Sequence, residues 1–520
     1  SELSTKFANN VMDATQSYFL HVEDEARLAG LPDSALEASA TEAKSRELEG
    51  WVFTLDFPSF QPLLTYGEDR ELRKTIYQAY STRASDVGPD AGNFDNAALI
   101  AKILELRCEQ AKLLGFENFC EKSVYTKMAE SPQEVMDFID QLINKSSAQS
   151  KQEVEALKDF AKSEGFEGDL EVWDSGFYAE KQREKLYNLN QEELRPYFPM
   201  DRVLSGMFSV VQRLYNIEVN ESASGVDVWH EDVKFYEVSR AGEVIAGFYL
   251  DPYARPKKRG GAWMNGVLSR HRGASGDLQL PVCYLVCNFT PPAEGKPGLL
   301  KHGEVTTLFH EFGHGLHHML TKIEIAGIAG VHGVEWDAVE LPSQIMENWC
   351  WDKEAIELIS GHYETGEVLP REKIDQLLAA KNYNSAMGMM RQLEFALFDF
   401  KMHLEAGDDD FPGAQAILDQ VREKTAALKT PEWNRFQNAF LHLFAGGYCA
   451  GYYSYKWAEV LSADAFSLFE EQGVFDEATG KKFLENVLER GGSANAADLF
   501  KNFRGRGPSV DALLRHSAIN

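Results

Sequence analysis

Apolar positions recur three and four residues apart through most of the chain. Residues 97–114, 132–160, 370–380 and 408–428 all carry this spacing, and each stretch predicts an amphipathic helix. Ser131-Pro132-Gln133-Glu134 adds an N-cap followed by proline at the first helical position, where its missing N–H leaves no bond unmade. Strand-like signals cluster in the middle of the chain. Val233-Lys234-Phe235-Tyr236-Glu237-Val238 alternates, Arg240-Ala241-Gly242-Glu243 reads as a turn, and residues 244–250 resume the apolar pattern, which predicts a hairpin. Residues 282–289 predict a third strand, whereas the polar, glycine-rich stretch 252–276 predicts a loop. A long amphipathic helix follows at 304–320. A small sheet just ahead of such a helix suits a site where an edge strand aligns an extended peptide through main-chain hydrogen bonds. The pattern has neither repeats nor low-complexity runs. It predicts a mainly α fold with a small β-sheet beside the helix.

Composition narrows the function classes. A chain of 520 residues leads one to expect roughly two to four domains. Asp and Glu number 81 against 52 Lys and Arg, a net charge of -29. That charge repels a phosphate backbone, so no nucleic-acid partner is expected, and it suits a solvated surface or attraction for cationic peptides. Six cysteines are too sparse for a disulfide framework. Cys283 and Cys287 would point to one face of a strand as buried thiols, since no second pair completes a zinc site. A reducing cytoplasm fits. No run of 18 apolar residues occurs, so neither a transmembrane helix nor a membrane partner is expected. The start, SELSTKFANNVMDATQSYF, lacks the basic and apolar regions of a signal peptide. It begins inside a helical pattern without Met, as a processed or truncated chain would.

The chemistry concentrates at His310-Glu311-Phe312-Gly313-His314. Two histidines four apart lie on one helical face, one turn from each other. Two such ring nitrogens can together supply the bonds of about 2.0–2.1 Å that Zn²⁺ takes from histidine. Glu311 projects roughly 100° round the helix, where it can reach a water on the metal and serve as general base. Gly313, which costs about 1 kcal/mol in a helix interior, asks for a close neighbour. Catalytic zinc needs a third protein ligand and an open position, and the best candidate is Glu340, 30 residues after His310 on an apparent second helix. Asp337, Ser343 and Glu347 are candidate partners that orient the ligands, each also readable as a capping or solvated polar residue. His317 shares the face of His310 and His314, but one straight helix cannot wrap three donors round a tetrahedral ion, so it is assigned to the wall or to supporting the ligands. Glu304 reads as helix surface or as a supporting group.

Peptide hydrolysis also builds negative charge on the carbonyl oxygen, which preorganised donors stabilise. In His442-Leu443-Phe444-Ala445-Gly446-Gly447-Tyr448-Cys449-Ala450-Gly451-Tyr452-Tyr453-Ser454-Tyr455, the tyrosines at 448, 452 and 455 are spaced four and three apart, one helical face. With His442 and the glycine pair Gly446-Gly447 they suit contact with a substrate backbone. The alternative is an aromatic packing stripe.

At FHEFGHGLHHMLT, WDAVELPSQIMENWCW, HLFAGGYCAGYYSYKWAEVL and FRGRGPSVDALLRH, and again at YARPKKRGGAWMNG and LLGFEN, the chain resembles the bacterial branch of the thimet-oligopeptidase-like family of zinc peptidases. The likeness runs essentially from end to end. It implies one Zn²⁺ per chain held by His310, His314 and Glu340, with Glu311 as base. It implies that His442, Tyr448, Tyr452 and Tyr455 meet the substrate or its oxyanion. It also implies two helical walls round a deep channel, 1–85 with 271–520 carrying the zinc and 86–270 opposite. A monomeric, cytoplasmic enzyme that admits only short peptides, cleaved signal peptides included, is the expected whole. Family members begin with a further helical segment upstream of what is Ser1 here, and a channel lacking it would be wider. Two alternatives stand beside the oligopeptidase. A dipeptidyl carboxypeptidase would need a cation for the substrate's C-terminal carboxylate, from the loop Arg255 to Arg259 or from Arg504 and Arg506. A non-catalytic peptide binder would have no use for Glu311.

Overall fold

The computed structural model describes residues 1–222, 225–292 and 295–519. It divides into two compact units that interleave along the chain. One comprises Ser1–Asn188, Asn382–Tyr453 and the last residues from Ser517, and the other comprises Leu189–Lys381 and Ser454–His516. These units cut the chain at other places than the grouping of 1–85 with 271–520 against 86–270.

The first unit is built on the helical patterns. Its longest helix, Pro132–Ser163, starts where the Ser131 hydroxyl accepts the Glu134 N–H at 3.2 Å and proline takes the first position. Val135, Ile139, Leu142, Ile143, Val154, Leu157 and Ala161 form its buried stripe, and the helix packs on Ser385–Glu405. Ala97–Leu113 lies where the spacing predicts it. The pattern at 408–428 yields a shorter helix, Ala414–Thr425, because Pro412 and Gly413 interrupt its start. A small antiparallel pair, β1 (Phe19–Val22) and β2 (Trp51–Thr54), completes the elements that matter here.

The second unit holds the main sheet. Its strands are β3 (Glu218–Glu221), β4 (Lys234–Arg240), β5 (Glu243–Tyr253), β6 (Trp263–Leu268) and β9 (Val282–Phe289), in the order β3-β4-β5-β9-β6. Between β6 and β9 lies a two-residue pair, β7 (His271–Arg272) with β8 (Leu278–Gln279). The β4–β5 hairpin turns on Ala241 and Gly242, with φ of 53° and 81°, the paired positive values whose twist suits antiparallel neighbours. β9 runs parallel to β5 and antiparallel to β6.

The stretch 252–276 is therefore not all loop, since it contains the edge strand β6. Its apolar residues Trp263, Met264, Val267 and Leu268 are diluted by glycines and basic residues, so local pattern misses what the open side of β9 selects by pairing. The basic residues ahead of β6 are tied down. Asp251, buried in β5, accepts both Arg255 Nη atoms at 2.6 and 2.8 Å, Lys258 Nζ at 2.8 Å and the Trp229 indole N–H at 2.9 Å. Burial opposes charge on that carboxyl, but Arg255 and Lys258 outweigh it and hold its pKa down at about 2.

The helix His302–Met319 lies on the sheet, with Cys283, Leu285 and Cys287 of β9 buried on one face. Phe312 sits 5.9 Å from Phe208 and 5.6 Å from Phe248, ring to ring, and Phe248 stacks on Tyr236 at 5.0 Å. This aromatic layer fixes the rotation of the helix, so that the residues two before and two after Phe312 face away from the sheet. Among the described residues no helix is long and apolar enough to cross a membrane.

Candidate metal centre

His310 and His314 stand one turn apart on the helix His302–Met319, their rings 5.0 Å from centre to centre. Glu304 is spent at the start of that helix, where its carboxylate accepts the N–H groups of Lys301 at 2.8 Å and Thr290 at 3.1 Å. The helix Leu341–Glu347 crosses it, and Glu340 is the residue just ahead of its first turn. Glycine at 313 makes the crossing possible: a Cβ there would lie 2.3 Å from the Pro342 carbonyl oxygen and 2.6 Å from Ser343 Cα. No side chain fits in that space, which accounts for a glycine inside a helix.

The crossing brings three donors together. Glu340 Oε2 lies 3.2 Å from His310 Nε2 and 3.0 Å from His314 Nε2. Ser343 Oγ donates to the same Oε2 at 2.9 Å, which holds the carboxylate in place. On the far side of the His310 ring, Glu347 Oε1 lies 2.7 Å from Nδ1. A carboxylate oxygen only accepts, so Nδ1 carries the proton and the Nε2 lone pair is turned toward Glu340. Two imidazole lone pairs and a carboxylate oxygen at such distances repel one another unless a positive charge lies among them. Protons can supply it: burial disfavours charge on His310, yet Glu340 and Glu347 raise its pKa well above the usual value. Burial likewise pushes the Glu340 carboxyl up, but His314 and His310 together hold it well below the carboxylate range. A divalent ion satisfies all three at once. Tetrahedral bonds of about 2.0–2.1 Å put donor atoms roughly 3.3 Å apart, close to the separations found. Among the described residues, His310, His314 and Glu340 are the one group of such side chains that could hold a metal.

Glu311 is buried beside them, and its Oε2 has no hydrogen-bond partner. Burial raises its pKa, a rise that the two histidines oppose. An unpaired carboxylate oxygen inside a protein is costly, and one next to a metal-binding trio is placed to handle a proton. Asp337 is fully buried in the turn that precedes Glu340. His317 does not join the donors. It is buried and lines a cavity with Val334, Ala338 and Leu499, and burial, with His314 and His318, pushes its pKa down to about 3.

The segment from His442 departs from the single helical face read from its spacing. A short helix, Leu441–Phe444, ends at Gly446-Gly447, where Gly447 has φ of 87° and the Tyr448 N–H returns to the His442 carbonyl at 2.9 Å. Turns continue to Tyr453, and only Tyr455 lies on a helix, Ser454–Gln472. The glycine pair thus serves to break a helix. His442, Tyr448 and Tyr452 fall in the first unit, where the His442 ring lies 5.8 Å from that of Tyr448 and 5.6 Å from that of Tyr452. The Tyr452 hydroxyl donates to Gln392 Oε1 at 3.1 Å. Tyr455 falls in the second unit, and its carbonyl accepts the Gln344 side-chain N–H at 2.9 Å. The backbone of 450–452 is anchored on Asp399, a residue that no sequence pattern singles out.

The cations considered for a substrate carboxylate are already engaged. Arg255 and Lys258 serve Asp251, and Arg259 lies over the Trp263 ring at 5.3 Å. Arg504 and Arg506 both pair with Asp464, at 3.1 and 2.5 Å.

The chain is similar to known proteins along almost its whole length. A profile of Peptidase family M3 matches residues 63–519. Oligopeptidase A of Escherichia coli (strain K12) is 54% identical over 520 residues, which cover 100% of this chain and 76% of that protein. Dipeptidyl carboxypeptidase of the same organism is 32% identical, over 100% of this chain and 75% of its own. Among solved structures, PZ peptidase A with inhibitor 2 shares the fold at a TM-score of 0.58 and 15% identity, over 99% of this chain and 75% of that one.

The crossing at Gly313 can be tested alone. Gly313→Ala is expected to force the two helices apart, at a cost of about 1–3 kcal/mol, and to weaken retention of a divalent metal on dialysis. Thermal melting and metal analysis check it, and wild-type behaviour in both would show that the backbones are not in contact there.

Proposed function

Because the chain belongs to peptidase family M3, we propose that it is a zinc-dependent oligopeptidase that cuts short peptides internally, cleaved signal peptides among them. It is a hydrolase of peptide bonds, as its oligopeptidase A relatives are by name. In this reading His310, His314 and Glu340 hold the zinc, and Glu311 is the general base. The observation that carries it is the convergence of both Nε2 atoms on Glu340 Oε2, at 3.2 and 3.0 Å, beside a buried carboxylate oxygen with no partner.

A zinc ion held there supplies Lewis acidity to an attacking water and to the scissile carbonyl. The protein's own groups do the rest. Glu311 takes the water's proton and returns it to the leaving amine. Glu347 keeps the proton of His310 on Nδ1, which leaves Nε2 free as a ligand, and Ser343 fixes the Glu340 carboxylate. Asp337 supports the turn that presents Glu340. The phenols of Tyr452 and Tyr455, with His442, donate to the developing oxyanion, and Tyr448 with Gly446 and Gly447 binds the substrate backbone. These assignments draw on the likeness of the segment 442–455 to the family. β6, an edge strand of the sheet among the described residues, offers main-chain partners to an extended peptide. Six free thiols, five of them buried, suit the reducing cytoplasm in which we place the enzyme.

Internal cleavage is favoured over release of C-terminal dipeptides, because Arg255, Lys258, Arg504 and Arg506 are each already paired with a buried carboxylate. A peptide with an amidated C-terminus is therefore expected to be cut internally about as fast as its free acid, as product analysis by mass spectrometry would show. Cleavage confined to the free acid, in dipeptide steps, would favour the carboxypeptidase. Glu311→Gln is expected to keep one zinc per chain and to lose about 1,000-fold in kcat, and a chelator should abolish wild-type hydrolysis. Full turnover in the variant would remove Glu311 from its role. A folded, zinc-loaded wild type without chelator-sensitive turnover would point to the peptide binder.

A further inference from the structure

Asp399 is fully buried in the first unit, on the helix Ser385–Glu405, and the chemistry described above does not use it. Its carboxylate accepts three consecutive backbone N–H groups: Ala450 at 2.8 Å on Oδ1, Gly451 at 2.8 Å and Tyr452 at 2.9 Å on Oδ2. Successive N–H groups that converge in this way form a concave anion site. Here the anion is part of the same chain, 51 residues before Ala450. The backbone bends to meet it, since Ala450 has φ of 45°, the left-handed region that a residue with a Cβ rarely adopts. From the other side Ser123 Oγ donates to the Ala450 carbonyl at 2.8 Å.

The anchor does not end at Asp399. His403 Nδ1 lies 2.8 Å from the Asp399 main-chain carbonyl and 3.0 Å from Asp399 Oδ1, and His403 Nε2 lies 2.8 Å from Arg107 Nη1. Arginine can only donate, so Nε2 accepts and Nδ1–H points to Asp399. The other arm of Arg107, Nη2, donates to the Leu443 carbonyl at 2.7 Å. One chain of hydrogen bonds, Leu443 carbonyl to Arg107 to His403 to Asp399, therefore holds the segment at both ends. It grips the backbone next to His442 and again at Tyr452, while residues 445–451 between them are turns and irregular backbone rather than helix or strand.

We propose that Asp399 is a positioning residue for hydrolysis: with His403 and Arg107 it sets the backbone that presents His442 and Tyr452 to the substrate. This rests on the reading above in which those two side chains meet the oxyanion. Preorganised donors act only if they do not have to be ordered during the reaction, and turns without regular secondary structure do not supply that order by themselves. A buried carboxylate that accepts three consecutive backbone N–H groups, with His403 beside it, does.

The test uses the full zinc-loaded chain with Asp399→Asn and, in parallel, Tyr452→Phe. Asn keeps the shape of Asp but turns an NH2 group toward N–H donors. Expected for Asp399→Asn are one zinc per chain, an unchanged circular dichroism spectrum, and amide exchange about tenfold faster across 446–453 but not across 302–319. Its kcat should fall about 100-fold while KM stays within about threefold, because the loss falls on the transition state. The double variant should lose little more than the worse single one. A role confined to holding the fold would instead speed exchange in both segments and shed zinc, and that result overturns the proposal. If Tyr452→Phe lowers kcat and Asp399→Asn does not, the proposal also fails while the reading of Tyr452 stands. If Tyr452→Phe itself keeps full kcat, that reading is the one at fault and the proposal falls with it. Should Asp399→Asn not fold, Arg107→Lys decides on the same terms. Lysine keeps the charge but cannot reach His403 and the Leu443 carbonyl in the same fork, so a smaller loss of kcat at constant KM is expected, and wild-type kcat contradicts the proposal.

Discussion

Three atoms that repel one another, His310 Nε2, His314 Nε2 and Glu340 Oε2, are held 3.0 to 3.2 Å apart across the carboxylate oxygen, and much of the second unit works to keep them so. The aromatic layer of Phe208, Phe248 and Phe312 sets the rotation of the histidine helix. The crossing at Gly313 sets the distance to Glu340. Glu347 and Ser343 fix which lone pairs point inward. Such an arrangement costs free energy until a cation joins it, so the fold stores an affinity for positive charge at one point.

Two kinds of order meet in this chemistry. The donors for the ion rest on helices packed against a sheet, the stiffest support available. The groups assigned to the oxyanion come partly from turns, where rigidity must come from hydrogen bonds. The Asp399 chain supplies them with charged partners, and the bonds from backbone N–H groups to a carboxylate are roughly twice as strong as the neutral bonds of an ordinary turn. Loss of one donor in such a network leaves the others buried and unpaired, so each member matters more than its single bond suggests.

The shared face of His310 and His314 could be read from spacing because a helix converts an interval of four into one face, and the hairpin could be read because its turn residues carry their own conformational preference. Gly313 was legible as a request for a close neighbour, although only the fold shows that the neighbour is the Pro342 carbonyl. What local pattern missed depends on distant partners. β6 exists because β9 has an open side, and its own residues are too diluted by glycine to announce it. The tyrosine spacing suggested one helical face, but two glycines and a carboxylate 51 residues away bend the segment into turns. The basic loop looked available until Asp251, buried in a strand, claimed two of its cations.

X-ray absorption at the zinc edge, or anomalous diffraction on crystals of the zinc-loaded chain, tests the ion site most directly. One zinc per chain is expected, with two imidazole nitrogens and a carboxylate oxygen at about 2.0–2.1 Å and the density centred among His310, His314 and Glu340. Zinc bound elsewhere, or a shell without both imidazoles while Glu340 turns away, would contradict the chemistry derived from this fold.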